Sequence, residues 1–275
     1  TDGATTDTIT ITATVTDLAI DITAPTPPTI AENIANSGAV VTLASTGDAA
    51  TNAGFTISSG NTNGAFAVAA GGAVTVADTT EIDYETATSQ TVVFTITDGS
   101  NAVTESVVIT FTDVNDNSPV FTAGTTGACS SAEIAACGTF PATDGDSGAT
   151  QTYSIVTAST DANSVDHDLF TVASGGVLTF TNAPDYETPG CGASNNANTC
   201  TVILSVTDGA TADTITITAT VTDLNEASPI FTAGTTGACS SAEVTGCGTF
   251  PATDTDDTAT QTYSIVAAGT DANSV

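Results

Sequence analysis

One segment of this chain occurs twice almost letter for letter. TDGATTDTITITATVTD over residues 1–17 returns as TDGATADTITITATVTD over 207–223, with a more distant version, TDGSNAVTESVVITFTD, over 97–113. A second segment, FTAGTTGACSSAE over 121–133, returns unchanged over 231–243. Asp17, Asp113 and Asp223 are therefore equivalent positions, separated by 96 and 110 residues. A period of that length is a whole domain and far exceeds one turn of a solenoid. The expected organisation is the tail of one repeat (1–23), a full repeat (24–118), a second full repeat (119–228) and the start of another (229–275). Both chain ends then fall inside a repeat, the pattern expected of a window on a longer polymer.

The two periods differ by 14 residues, and the difference is local. Five of the extra residues lie between the junction Asp and the next Glu, and eight between Glu187 and Thr207 relative to Glu85 and Thr97. Those two insertions are where cysteines appear. The six cysteines fall into three short-range pairs, Cys129/Cys137, Cys191/Cys200 and Cys239/Cys247. Six cysteines permit 15 connectivities, and pairing within each loop is the simplest. A zinc site has no support, because the chain has one His and no C-x-x-C. Local disulfides imply an oxidising compartment and read as pins for enlarged surface loops, each contributing about 2–3 kcal/mol.

Within each repeat the pattern is that of strands. Thr8 to Thr16 alternates Thr with apolar residues at period two, as a half-buried strand does. Thr91–Ile96 and Thr201–Val206 read likewise. The dipeptides Asp98-Gly99, Asp208-Gly209, Gly71-Gly72 and Gly175-Gly176 mark the turns. No useful helical periodicity appears, so each repeat is all-β, and several strands per hundred residues with Gly and Asn turns predict a β-sandwich.

Charge narrows the function. The chain has no Lys or Arg against 31 Asp plus Glu, a formal charge of −31. Such a surface repels nucleic acid and anionic membranes, and no stretch is long and apolar enough for a membrane span. High net charge is one mark of disorder, but 40% hydrophobic content in alternation argues for a fold. Some external cation must relieve the repulsion. Hard oxygen ligands are the only kind in quantity, which points to calcium.

The acids stand at fixed stations. Each full repeat has an early Glu (Glu32; Glu133), a D-Y-E triplet (Asp83-Tyr84-Glu85; Asp185-Tyr186-Glu187) and a closing segment (Asp113-Val114-Asn115-Asp116-Asn117; Asp223-Leu224-Asn225-Glu226-Ala227). T-D-x-D follows at Asp144/Asp146 and Asp254/Asp256. Carboxylates crowded together are costly without an ion, and calcium needs six to eight oxygens.

In their order, these elements resemble cadherin repeats over essentially the whole chain. The family usually has Asp-Arg-Glu where this chain has D-Y-E. The resemblance implies seven-stranded Greek-key sandwiches, of the cadherin and immunoglobulin-like class, in a linear rod with up to three calcium ions per junction. Carried over residue by residue, the first junction takes Glu32, Asp83, Glu85, Asn115, Asp116, Asp144, Asp146 and Asp208, with the carbonyls of Val114 and Asn117. The second takes Glu133, Asp185, Glu187, Asn225, Glu226, Asp254 and Asp256, with Leu224 as the counterpart of Val114. Glu226 stands where the family has Asp and Ala227 where it has Asn, so the second junction departs from the family geometry while keeping its charge. Upstream, the segment at 17–25 has no N-D-N, and Ser45-Thr46-Gly47-Asp48 replaces T-D-x-D. That junction is expected to be calcium-poor, with Pro25, Pro27 and Pro28 acting as a semi-rigid linker.

Other constellations are weaker. His167 lies between Asp166 and Asp168 and reads as a partly exposed loop residue. Tyr84, Tyr153, Tyr186 and Tyr263 read as sandwich packing. No Schiff-base Lys, G-x-S-x-G or Walker loop is present, and paired carboxylates repeated once per domain do not look like a glycosidase site; no enzyme is expected. No N-x-[ST] acceptor occurs, so any glycosylation is expected at hydroxyls such as Thr8, Thr10, Thr12, Thr14 and Thr16, or Thr214, Thr216, Thr218 and Thr220. The expected function is an extracellular or cell-surface rod, fibre or adhesin shaft whose partners are further copies of the repeat. A homophilic or glycan-binding adhesion module is the alternative. An ice- or mineral-binding Thr surface is a third reading, weakened because Thr is simply a good strand former.

Overall fold

In the computed structural model the described residues are 8–14, 19–47, 54–97, 101–234, 236–238, 248–256 and 260–265. The chain divides into two compact units, Thr1–Asn115 and Asp116–Val275. The described residues form strands and short 3₁₀ turns, with no α-helix among them.

In the first unit β2 (Thr29–Ala31), β9 (Ala102–Thr112), β8 (Ser89–Thr97) and β5 (Thr56–Ser59) form one sheet in the order β2-β9-β8-β5. The second sheet is β3 (Ala39–Thr42), β7 (Ala73–Val76) and β6 (Phe66–Val68), in the order β3-β7-β6. Strand β1 (Asp21–Thr23) pairs with β4 (Ala44–Thr46), which continues β3 after Leu43. All pairings are antiparallel except β2 with β9. The alternation in β8 does what its period dictates: Val92, Phe94 and Ile96 are buried while their neighbours face outward. They meet Leu43, Phe66, Val74 and Val76 from the other sheet in one core.

Two features at the start of this unit differ from expectation. Ile20 and Ile22, ahead of residue 24, are buried in this same core. The Pro25–Pro28 segment therefore runs from β1, in its two-stranded sheet with β4, to β2 in the four-stranded sheet, and is not a linker between domains. Proline suits that crossing because its missing N–H costs nothing where no ladder partner is present.

The second unit repeats the plan. Strands β11 (Thr126–Ser131), β18 (Ala212–Val221), β17 (Thr199–Thr207) and β14 (Thr152–Val156) form one sheet, with β11 parallel to β18. The other contains β12 (Ala136–Thr139), β16 (Val177–Phe180) and β15 (Phe170–Ala173). Strand β10 (Val120–Phe121) pairs with β13 (Ala142–Thr143), and β19 (Ile230–Phe231) repeats that pairing with β20 (Ala252–Thr253). The Gly175-Gly176 turn joins β15 to β16, and Gly176, at φ +76°, accepts the Phe140 N–H at 2.9 Å. A Cβ at Gly176 would run into the Phe140 backbone carbonyl, so only glycine fits.

Two of the expected disulfides are present, Cys129–Cys137 and Cys191–Cys200, with Cα–Cα separations of 5.4 and 4.8 Å. The first ties β11 to β12, which belong to different sheets. The second is not a surface pin: Cys191 and Cys200 are buried in the core. Cys239 and Cys247 lie outside the described residues.

The expected strand at 8–16 is the clear miss. Residues 8–14 carry no strand, and Ile9 and Ile11 are 86% and 82% exposed. The same heptapeptide at Thr214–Thr220 is the middle of β18, held between β11 and β17. Alternation supplies a strand's two faces, but the ladder needs neighbours, and no described strand pairs with residues 8–14. Thr16 and Asp17 lie outside the described residues.

Candidate metal sites

Each early Glu is tied down by two backbone donors far away in sequence. Glu32 Oε2 accepts the Tyr84 N–H and its Oε1 the Val114 N–H, both at 2.6 Å. Glu133 repeats this with Tyr186 N–H at 2.8 Å and Leu224 N–H at 2.6 Å. One carboxylate thus pulls the D-Y-E triplet and the closing segment to the same end of its sandwich. Glu32 is buried, and Glu133 is half-buried with φ +54°.

Around these anchors the carboxylates cluster. Oxygens of Glu32, Asp83 and Glu85 lie within 4.8 Å of one another, as do those of Glu133, Asp185 and Glu187. The second unit holds two more groups with the same spacing: Asp144, Asp146 and Asp208; and Glu187, Glu226 and Asp256. Glu187 belongs to two groups, so five carboxylates converge near the C-terminal end of β18, away from the β17–β18 turn.

Local bonds aim several of them. Asp83 accepts the Thr86 N–H at 3.0 Å and the Thr86 hydroxyl at 2.8 Å. Asp185 accepts the Thr188 N–H, and Asp208 accepts the N–H groups of Ala210 and Thr211. These are Asx turns, which hold the carboxylate against its own backbone. The Thr86 hydroxyl, with the Thr86 N–H behind it, holds the Asp83 carboxyl below its ordinary range. The Thr211 N–H does the same for Asp208. Asp146 is buried and accepts the Asn117 N–H at 3.1 Å and the Asn117 side-chain amide at 2.9 Å. Asp256 is buried likewise and accepts the Ala227 N–H at 2.9 Å, so Ala227 keeps the backbone half of what Asn117 supplies.

The second cluster is electrostatically unsettled. Desolvation raises the Glu226 carboxyl to about 7, and repulsion from Glu133, Asp256 and Glu187 adds to it. Glu187 is raised by desolvation first, then by Glu133, Asp223 and Asp256. In the same cluster Glu187 Oε1 and Asp256 Oδ1 are buried with no hydrogen-bond donor, as is Asp113 Oδ1 in the first unit. Buried polar atoms are normally satisfied, and no Lys or Arg exists anywhere in the chain to supply a donor. A hard cation that takes oxygen ligands fits these atoms.

Among the expected ligands, the two early Glu residues, both D-Y-E acid pairs, Asp144, Asp146, Asp208, Glu226 and Asp256 all fall in such groups. Val114 and Leu224 use their N–H groups on the early Glu. Asp254 Oδ1 accepts the Asp256 N–H at 3.3 Å, and Asp116 Oδ1 accepts the Asn117 amide at 3.2 Å. Asn115 and Asn225 are exposed. Asp113, the first acid of its closing segment, belongs to none of these groups. His167 is partly exposed in a 3₁₀ turn, its Nδ1 3.0 Å from the Ser164 carbonyl oxygen and its Nε2 3.2 Å from Asp168. It belongs to none of the groups.

No family model matches the chain, and no curated protein matches it. Solved structures do. Mouse cadherin-23 EC22-24 is 17% identical at a TM-score of 0.59, covering 88% of this chain and 79% of that one. A protocadherin gammaB7 EC3-6 cis-dimer structure gives 18% identity and a TM-score of 0.62 over 78% of this chain and 52% of that one. Drosophila N-cadherin EC1-4 gives 20% and 0.56 over 75% of this chain, which spans about half (50%) of that structure. The chain has the fold of tandem cadherin-like β-sandwich repeats.

Proposed function

We propose that this chain is a segment of an extracellular rod whose repeats are joined and stiffened by calcium. The second junction would be held by Glu133, Asp185, Glu187, Glu226 and Asp256. In the first unit Glu32, Asp83 and Glu85 would hold the ion, and at the start of the second unit Asp144, Asp146 and Asp208 would do so. The single observation that carries this reading is the pair of buried, donor-less oxygens on Glu187 and Asp256 inside a five-carboxylate cluster. Bound calcium would replace carboxylate repulsion with attraction and couple the sandwich to the segment that follows it. The role is structural, not enzymatic, and the cysteine pairs suit an oxidising exterior. The cis-dimer among the similar structures supports a second reading, homophilic adhesion between copies.

Calcium titration followed by calorimetry and thermal melting tests the first reading. Ion at 100 times its Kd should stabilise by about 2.7 kcal/mol, and magnesium should do less because it resists dehydration. Identical melting in millimolar calcium and in chelator would refute the proposal.

A further inference from the structure

The eight residues that the second sandwich adds after its D-Y-E triplet change how that triplet is held. In the first sandwich only Thr86, Ala87 and Thr88 separate Glu85 from β8 at Ser89, and the Ala87 N–H donates to the Asp83 carbonyl at 2.9 Å. The strand itself therefore fixes the triplet. In the second sandwich the whole of Thr188 to Asn198 separates Glu187 from β17 at Thr199. A connection of that length weakens the restraint, because closing a longer loop costs more chain entropy.

The added loop is tied off in other ways. Cys191 and Cys200 are bridged and buried, and Cys191 and Ala197 exchange backbone hydrogen bonds at 3.0 and 3.1 Å. The buried Asp166 carboxylate accepts the N–H groups of Gly192 and Thr201, both at 2.7 Å, and these are the residues that follow each cysteine. Between Ala197 and Cys200 stands Asn198. Its side-chain amide donates to the Tyr186 carbonyl at 2.9 Å, and its own carbonyl accepts the Val221 N–H at 2.8 Å. Asn198 thus joins the D-Y-E triplet to the end of β18, the same two segments that Glu133 joins through Tyr186 and Leu224. Thr88 holds the matching place in the first sandwich and accepts the Phe111 N–H at 2.9 Å, but its side chain carries no amide.

We infer that the Cys191–Cys200 bridge, acting through Asn198, positions Asp185 and Glu187 of the second sandwich for their ion. The identity of the ion rests on the calcium reading above, whereas the positioning rests on the hydrogen bonds alone. Tyr186 is gripped from both sides, its N–H by Glu133 and its carbonyl by Asn198, so the two flanking carboxylates project from a fixed backbone. Asn198 is a positioning residue. Partners that orient metal ligands in this way govern ion affinity by about ten- to hundredfold. The device is particular to the second sandwich, since the first contains no cysteine.

The test is a calcium titration of the 275-residue chain followed on backbone amide resonances, with Tyr84 reporting the first unit and Tyr186 the second. Asn198→Ala keeps the bridge and should weaken ion binding at Tyr186 about tenfold while leaving Tyr84 unchanged. The Cys191→Ala/Cys200→Ala double variant should weaken it at least as much. Amide hydrogen exchange in chelator supplies a readout that needs no ion. There the Tyr186 N–H of Asn198→Ala should exchange about tenfold faster, while the amides of the β17–β18 ladder keep the parent's rates. Unchanged affinity at Tyr186 in Asn198→Ala, equal weakening at Tyr84 and Tyr186, or exchange at Tyr186 that rises only together with the ladder would each overturn the positioning. If the parent chain binds no calcium, the ion reading fails by itself, and exchange at Tyr186 still decides whether Asn198 positions the triplet.

Discussion

Glu133 Oε2 and the Leu224 N–H meet at 2.6 Å across 91 residues, and Glu32 and Val114 make the same bond in the preceding sandwich. A single glutamate thereby fastens the last segment of each repeat to its first strands, before any ion is considered. Glu32→Ala should leave the Tyr84 and Val114 N–H groups without their acceptor and cost about 2 kcal/mol or more. Glu32→Gln, which keeps an acceptor oxygen, should recover part of it. Urea unfolding in chelator measures both, and equal stability of Glu32→Ala and the parent chain would show the anchor to be dispensable.

The fold class was legible because alternation and Gly turns are local signals. The misses arise where non-local partners decide. The heptapeptide at 8–14 and 214–220 is one sequence with two outcomes, strand only where β11 and β17 flank it. Pro25–Pro28 looked like a linker because nothing local reveals that Ile20 and Ile22 reach the same core as Phe94. The acid stations were legible as a periodic set, and the structure gathers most of them. Burial of one Asp113 carboxylate oxygen is a tertiary fact with no signal in the local sequence.

Charge reversal of effect is expected in the second cluster. At pH 8, above the value of about 7 to which Glu226 is raised, Asp256→Asn and Glu226→Gln each remove one negative charge from a group that also holds Glu133 and Glu187. In chelator the substitutions should stabilise, by relieving repulsion. In millimolar calcium the same substitutions should destabilise and weaken ion binding by tenfold or so, since ligand charge sets affinity. Melting each variant under both conditions checks the sign; one sign in both would contradict a metal site.

The buried Cys191–Cys200 bridge closes a nine-residue separation and is part of the core. Replacing both residues by Ala should lower the stability of the second sandwich by about 2.5 kcal/mol from loop entropy alone, with an added packing loss. The surface-ward Cys129–Cys137 pair should cost less in packing when replaced the same way. Denaturant midpoints of the two double variants decide the order.

The pH dependence of the calcium-free chain follows from Glu226. Its carboxyl is raised from 4.5 to about 7 in the folded state, so the folded chain holds a proton that the unfolded chain releases. The associated stability is fully present below pH 4.5 and is lost as pH rises toward 7. Glu187, raised by desolvation and by its acidic neighbours, contributes with the same sign. Asp83 and Asp208 are lowered, so their contributions change only at more acidic pH and leave this window to the two glutamates. In chelator, stability should therefore decline between pH 4.5 and 7. In saturating calcium the slope should invert, because the ion binds the deprotonated carboxylates and its affinity climbs as they ionise. Urea midpoints across that range with and without calcium measure both slopes, and a Glu226→Gln chain should flatten the decline in chelator.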